Sequence, residues 1–237
     1  QVPVTARSWK FESSPGHQNH AGSPWRGRRD KKALMAVHLH NDDLPCDVDF
    51  GDSVAIDTET MGLNPHRDRL CVVQLSAGDG NAHLVKLSQP IKPCPNLVGL
   101  LADQKITKIF HFARFDIAVL SHHITRIEGP VYCTKIASKL CRTYTDRHGL
   151  KDLCRELLGI DISKQQQSSD WGADALTKDQ QEYAAGDVLY LHQIKAKLDA
   201  MLVREKREAF ASNCFAFLET RTQLDLDGFA DTDIFHH

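Results

Sequence analysis

No run of about 18 or more apolar residues occurs in the 237-residue chain, so no segment reads as a membrane-spanning helix. An apolar segment of the secretory type is also missing near the N-terminus. There is no CxxC pair. The cysteines are odd in number, seven (Cys46, Cys71, Cys94, Cys133, Cys141, Cys154, Cys214), and most lie inside apolar runs such as LCVVQL and DLCREL. That pattern argues against a disulfide framework or a zinc site and fits small buried hydrophobes in a reducing, cytoplasmic compartment. Self-similarity at periods of about 20–50 residues is absent, which sets aside solenoid architectures. Neither sign of charge dominates the whole chain: 29 Lys+Arg stand against 31 Asp+Glu. The balance hides an asymmetry. Residues 1–34 carry seven basic and two acidic side chains, a net of +5, so residues 35–237 carry −7. A body that acidic is a poor electrostatic sponge for long nucleic acid, although it can bind phosphates locally through metal ions.

What is present divides into two parts. Residues 1–34 are rich in Ser, Pro, Gly, His and Arg, show no apolar period and start without Met. Such a segment buries too little apolar surface to offset its ordering entropy. A basic nucleic-acid arm and a transit peptide are open readings; the expectation adopted is a disordered or non-native N-terminal extension, with Met35 the natural start. From residue 35 to 237 the pattern is regular. AVHLH, SVAIDTET (53–60), LCVVQLSA (70–77), AHLVKL (82–87) and ITKIFHF (106–112) read as strands, the third and fourth joined by the turn signal GDGN. NLVGLLAD, FDIAVLSHH, TKIASKLCRTY and GLKDLCRELLG read as helices. A polar loop, DISKQQQSSDWGAD, precedes about 40 residues of helical periodicity, expected as two helices. Strands first and helices later argue a three-layer α/β or α+β domain.

Asp57 and Glu59 lie at i and i+2 on an expected strand, so both carboxylates point to one face, where they repel unless a proton or cation lies between them. Alone, DTET fits a strand end running into a capping turn at least as well. Asp116 closes HFARFD, where a helix cap is the ordinary explanation. Tyr183 and Asp187 are one helical turn apart, separated by Ala184, Ala185 and Gly186. An interior helix glycine costs about 1 kcal/mol relative to Ala, which suggests close approach by another backbone or a substrate. Together the residues say more. Four carboxylates on three segments plus a tyrosine are what a two-metal, oxygen-ligand site requires. Mg²⁺ or Mn²⁺ suits such ligands, and two ions about 3.5–4 Å apart activate water and stabilise a departing 3′ oxygen. The phenol would orient or deprotonate the attacking water, although its normal pKa near 10 makes it a poor base without help from a metal.

DTET, HFARFD and YAAGDVLYL, in this order and separation, resemble the DEDD superfamily of 3′→5′ exonucleases. The tyrosine four residues before the last Asp marks the Tyr-type branch, and SDW…L…Q…YA…DVLYL looks like the ribonuclease D group over about residues 51–198. NPHRDRLCVVQLS, CTKIASKL, RTYTDRHGLK, SKQQQSSDW and LDLDGFADTDIF are similar to the short bacterial nanoRNase C branch, from about Met35 to Phe235. The resemblance implies an RNase H-like mixed sheet flanked by helices in a single exonuclease domain. It implies two metals on Asp57, Glu59, Asp116 and Asp187, and a water positioned by Tyr183. It further implies hydrolysis of short single-stranded RNA, dinucleotides included, to 5′-mononucleotides by a homo-oligomer, an octamer in that branch. Ribonuclease D carries helical RNA-binding domains after its catalytic one; the 39 residues beyond position 198 are too few for them. Alternatives are 3′-end processing of longer RNA, action on DNA, or a non-catalytic nucleic-acid-binding module.

Around that site, Thr58, Leu63, His111, Phe112, Arg114, Lys164, Gln166 and Ser169 are candidates for substrate contact. Leu63 would wedge between terminal bases or simply pack. Phe112 stands where ribonuclease D usually has Asn, and would stack on a base or pack beneath the site. His111 would support a metal-bound carboxylate or sit as a satisfied core histidine. Arg114, Lys164, Gln166, Ser169 and His148 are candidates for a 5′ phosphate. Trp171 suggests that the polar loop before it is an ordered binding loop. Asp225-Leu226-Asp227-Gly228 brings an extra carboxylate where the resemblance expects an apolar residue.

Overall fold

The computed structural model describes residues 36–163 and 165–236; the expectation for residues 1–34 and the candidate Lys164 lie outside them. Six strands form one mixed sheet in the order β1-β4-β3-β2-β5-β6: β1 (Ala36–Asn41), β2 (Ser53–Thr60), β3 (Leu70–Ser76), β4 (Asn81–Lys86), β5 (Thr107–Phe110) and β6 (Val131–Cys133). The β2–β3–β4 meander is antiparallel, while β1 joins β4 and β5 and β6 extend from β2 in parallel. Helices cover both faces, which is why LCVVQLS is buried at every position instead of alternating with polar residues. Val54, Ile56, Val73, Leu75 and Val85 pack with α1 (Pro95–Ala102) and α2 (Ala113–His123) on one face. Ala55, Ala82 and Ile109 pack on the other with α5 (Lys178–Val188) and α6 (Leu191–Glu205). This is the expected RNase H-like mixed sheet flanked by helices.

The elements follow their sequence signals with four departures. The strand expected over 106–112 ends at Phe110, because Phe112 takes a left-handed conformation (φ 72°, ψ 43°) as the residue that opens α2. The three-residue β6 was not expected; it is too short to carry a period. It leads into α3 (Thr134–Cys141), and α4 (Leu150–Leu153) continues as one wide turn, Cys154–Leu158, stopped by Gly159 at φ 71°. The terminal run is three helices, not two. It breaks after Val188 and again at Lys206 (φ 55°), from which α7 (Glu208–Leu224) sets out. The third is needed because α5 and α6 face different partners, the β2–β4 meander and α3, and one straight rod cannot serve both.

The extra carboxylate at the C-terminal end has a structural use. Asp225 accepts hydrogen bonds from Arg114 (Nε 2.5 Å, Nη2 2.7 Å) and from Arg221 (Nη2 2.6 Å), tying the segment after α7 to α2. Asp227 accepts from Gln223 Nε2 at 3.0 Å. All seven cysteines are unpaired. Among the described residues no helix is long and apolar enough to cross a membrane.

Candidate active site

The acidic residues meet where helices from opposite faces of the sheet converge on the end of β2. Asp57 and Glu59 project from β2 on the α5 side, and a bulge between Glu59 and Thr60 ends the regular ladder there. Asp187 arrives from α5. Ligand oxygens of Asp57, Glu59 and Asp187 lie within 4.8 Å of one another. Asp116 comes from the first turn of α2, buried at 3% exposure, and Thr58 Oγ1 donates to its Oδ1 at 2.7 Å. All four carboxylates line one cleft of about 890 Å³, together with Tyr183.

α5 is held by a capping box: Thr177 Oγ1 accepts from the Gln180 N–H at 3.2 Å, and Gln180 Oε1 accepts from the Thr177 N–H at 2.9 Å. Gln180 Nε2 also donates to Ser169 Oγ (2.9 Å) and the Asp170 carbonyl (3.0 Å), fastening the polar loop to the helix that carries Tyr183. Trp171, 1% exposed, packs with its ring centroid 6.0 Å from that of Tyr183. Ser169, Asp170 and Trp171 are thereby held against the site. At the mouth, Gly62 lets the Asp68 carboxylate approach: a Cβ there would lie 2.2 Å from Asp68 Oδ2. Gly186 is different. A Cβ on it would meet no atom within 4 Å, so the close backbone approach expected there does not occur.

Burial raises Glu59, Asp116, Asp57 and Tyr183 above their ordinary values. Glu59 is pushed to about 9 by desolvation and then by Asp187 and Asp116. Asp116 is raised to about 7 by desolvation, opposed by its Thr58 hydrogen bond. Asp57 is held well above the usual carboxylate range by desolvation and by the neighbouring Asp116, Asp187 and Glu59. The Tyr183 hydroxyl is likewise raised, by burial and by Asp187, Glu59 and Asp57. A set of oxygen donors that resist ionising together is one that a hard divalent cation fits.

Of the candidate substrate contacts, Thr58, Leu63, His111, Phe112 and Ser169 line the cleft. Leu63 is 84% and Phe112 46% exposed, so neither is committed to core packing. His111 Nδ1 lies 2.9 Å from Thr134 Oγ1. Arg114 is placed elsewhere, its guanidinium held by Asp225, because α2 turns this face toward α7. Gln166 is not on the cleft wall, whereas its neighbours Gln167 and Ser168 are. His148 pairs with Ser138 Oγ at 2.8 Å outside the cleft. Sequence reasoning missed Lys135 and Lys151, two cations on the cleft wall; Lys135 Nζ stands 4.2 Å from the Phe112 ring centroid. Nothing in their local patterns distinguishes them from surface lysines.

A 3′-5′ exonuclease family model matches residues 39–203. The structure of Brucella melitensis NrnC bound to pGG superposes with a TM-score of 0.83 at 59% identity, covering 86% of this chain and 99% of that one. The same protein with bound Mg²⁺ gives 0.82 at 58% identity, covering 86% and 100%. Ribonuclease D of Nitrobacter hamburgensis is 32% identical over 159 residues, 67% of this chain. The chain spans about 41% of the length of that curated relative.

Proposed function

The chain belongs to the 3′-5′ exonuclease family, and from that membership we propose that it removes nucleotides from the 3′ end of short single-stranded RNA, dinucleotides included, releasing 5′-mononucleotides. The observation that carries the reading is the convergence of Asp57, Glu59, Asp116, Asp187 and Tyr183 on one cleft. The four carboxylates would hold two divalent cations, Mg²⁺ or Mn²⁺; the donor set is all oxygen and needs counter-charge. When bound, such ions offset the negative charge that builds on the phosphodiester.

The chain's own residues do the rest. Thr58 keeps Asp116 turned into the site. Tyr183, whose proton is held by burial and by the neighbouring Asp187, Glu59 and Asp57, is placed to orient the attacking water by hydrogen bonding. Phe112 offers an exposed ring for a base, and Leu63 an apolar edge at the cleft mouth. Lys135 and Lys151 attract phosphate oxygens in an otherwise acidic cleft. The short-substrate choice rests on the relative seen with pGG, whose name denotes a 5′-phosphorylated dinucleotide, and on the −7 charge of residues 35–237, which disfavours a grip on long RNA. The unpaired cysteines suit a cytoplasmic setting, and a homo-octamer is the expected assembly, checked by light scattering on the purified protein.

The test compares 5′-labelled RNAs of two, seven and twenty nucleotides, with Mg²⁺ and with EDTA, alongside Asp57→Ala. Fastest loss of the dimer, with metal and in the wild type only, supports the proposal. Faster clearance of the twenty-mer replaces it with the longer-RNA processing reading, and no cleavage at all removes catalysis.

A further inference from the structure

Gln74 lies in the middle of β3, in the otherwise apolar run LCVVQL, and is completely buried. Neither its Oε1 nor its Nε2 has a hydrogen-bond partner among the described residues. A buried amide with no partner is disfavoured against an apolar side chain of the same shape, so its presence asks for a reason. The strand register supplies one. Gln74 is directly opposite Asp57 in the antiparallel β2–β3 ladder. Residues so paired project to the same face with their Cβ atoms about 4.5–5.5 Å apart. That face is the one under α5, since the flanking Val73 and Leu75 belong to the core on the opposite side. The next pair on the same face is Val72 opposite Glu59, which sets Gln74 beside the acidic cluster and beneath the helix of Tyr183 and Asp187.

We propose that Gln74 is a positioning residue for this cluster: its amide donates to the Asp57 carboxylate when a divalent cation is bound, and so fixes the carboxylate's orientation. The inference rests on the metal-dependent reading above. Its reason is the usual one for groups behind a ligand, that a charge-assisted hydrogen bond orients a carboxylate.

Gln74→Met keeps the volume and removes the donor. Three quantities are measured: Mn²⁺ binding by titration calorimetry with the metal alone, thermal unfolding in EDTA, and hydrolysis of pGG over a range of Mg²⁺. The expected result is about tenfold weaker Mn²⁺ binding and a matching rise in the Mg²⁺ needed for half-maximal turnover, with the KM for pGG at saturating Mg²⁺ within about twofold of wild type. The unfolding temperature in EDTA should not fall, because an unpartnered amide has been removed. Mn²⁺ binding equal to wild type overturns the proposal, whatever the stability. Should the Met variant fail to fold, Gln74→Leu carries the same measurement. A wild-type protein that binds no Mn²⁺ refutes the metal reading itself, a failure distinct from a wild type that binds and a variant that binds equally well.

Discussion

Tyr183 holds its proton more tightly than an exposed phenol because burial and three carboxylates, Asp187, Glu59 and Asp57, oppose the phenolate. On the proposed reading its contribution is the placement of a hydroxyl. Tyr183→Phe should lower kcat by about 10²-fold while leaving KM within a few-fold, since misplacing a reactant costs rate and not ground-state binding; unchanged kcat in steady-state assays would sink the assignment. The carboxylates make a second prediction. Glu59 at about 9, Asp116 at about 7 and Asp57 well above the usual range are all raised over their unfolded values. The metal-free native state thus binds more protons than the unfolded chain, and its stability falls as pH rises from near 4 through these values. Mg²⁺ binding must displace those protons, so the rise in unfolding temperature on adding Mg²⁺ should be larger at pH 8.5 than at pH 6. Thermal scans showing the reverse would exclude a site built on these groups.

Among the elements, α5 concentrates what the site needs: a capping box at its start, Tyr183 and Asp187 on one face, and buried Ala184, Ala185 and Val188 against the sheet. Gly186 stands in this helix without any neighbour that a Cβ would strike. Gly186→Ala should therefore stabilise the protein by about 0.5–1 kcal/mol through helix propensity, with hydrolysis unchanged, as denaturant unfolding and a rate assay would show. Loss of activity with gained stability would mean that substrate itself comes close to this turn. The α2 start is the opposite case. A bulky residue at positive φ is uncommon and costs stability, yet it is what presents the Phe112 ring to the cleft beside Lys135. Arg114, two residues on, is turned away into the tie with Asp225.

At the scale of the whole molecule, the family match covers residues 39–203 and leaves out the basic N-terminal stretch. A chain starting at Met35 is expected to unfold at the same temperature and cleave short RNA at the same rate as the full chain. A clear fall in either would give residues 1–34 a part in folding or in substrate capture.

The alternation of apolar residues, the i, i+2 and i, i+4 spacing of the acids and the punctuation by Gly and Asn are local properties. From them five of the six strands, most helices and a three-layer α/β or α+β class could be read in the chain alone, whereas the RNase H-like sheet and the roles expected of Asp57, Glu59, Asp116, Asp187 and Tyr183 came from the resemblance of whole motifs. Local pattern also misled where it had too little length, as at β6, or where one periodic run served two packing directions, as in the split of the last expected helices. What the chain could not tell is which charged groups would find each other across long separations. Arg114 meets Asp225 and Lys135 enters the cleft because helices on two faces of the sheet converge there. Lys108 is buried because the carbonyls of Asp103 and Glu128 close around its ammonium. Gln74 lies beside Asp57 only through the register of β2 and β3. Such pairings depend on strand order and helix direction, which hydrophobic periodicity leaves undetermined and only the packed tertiary structure decides.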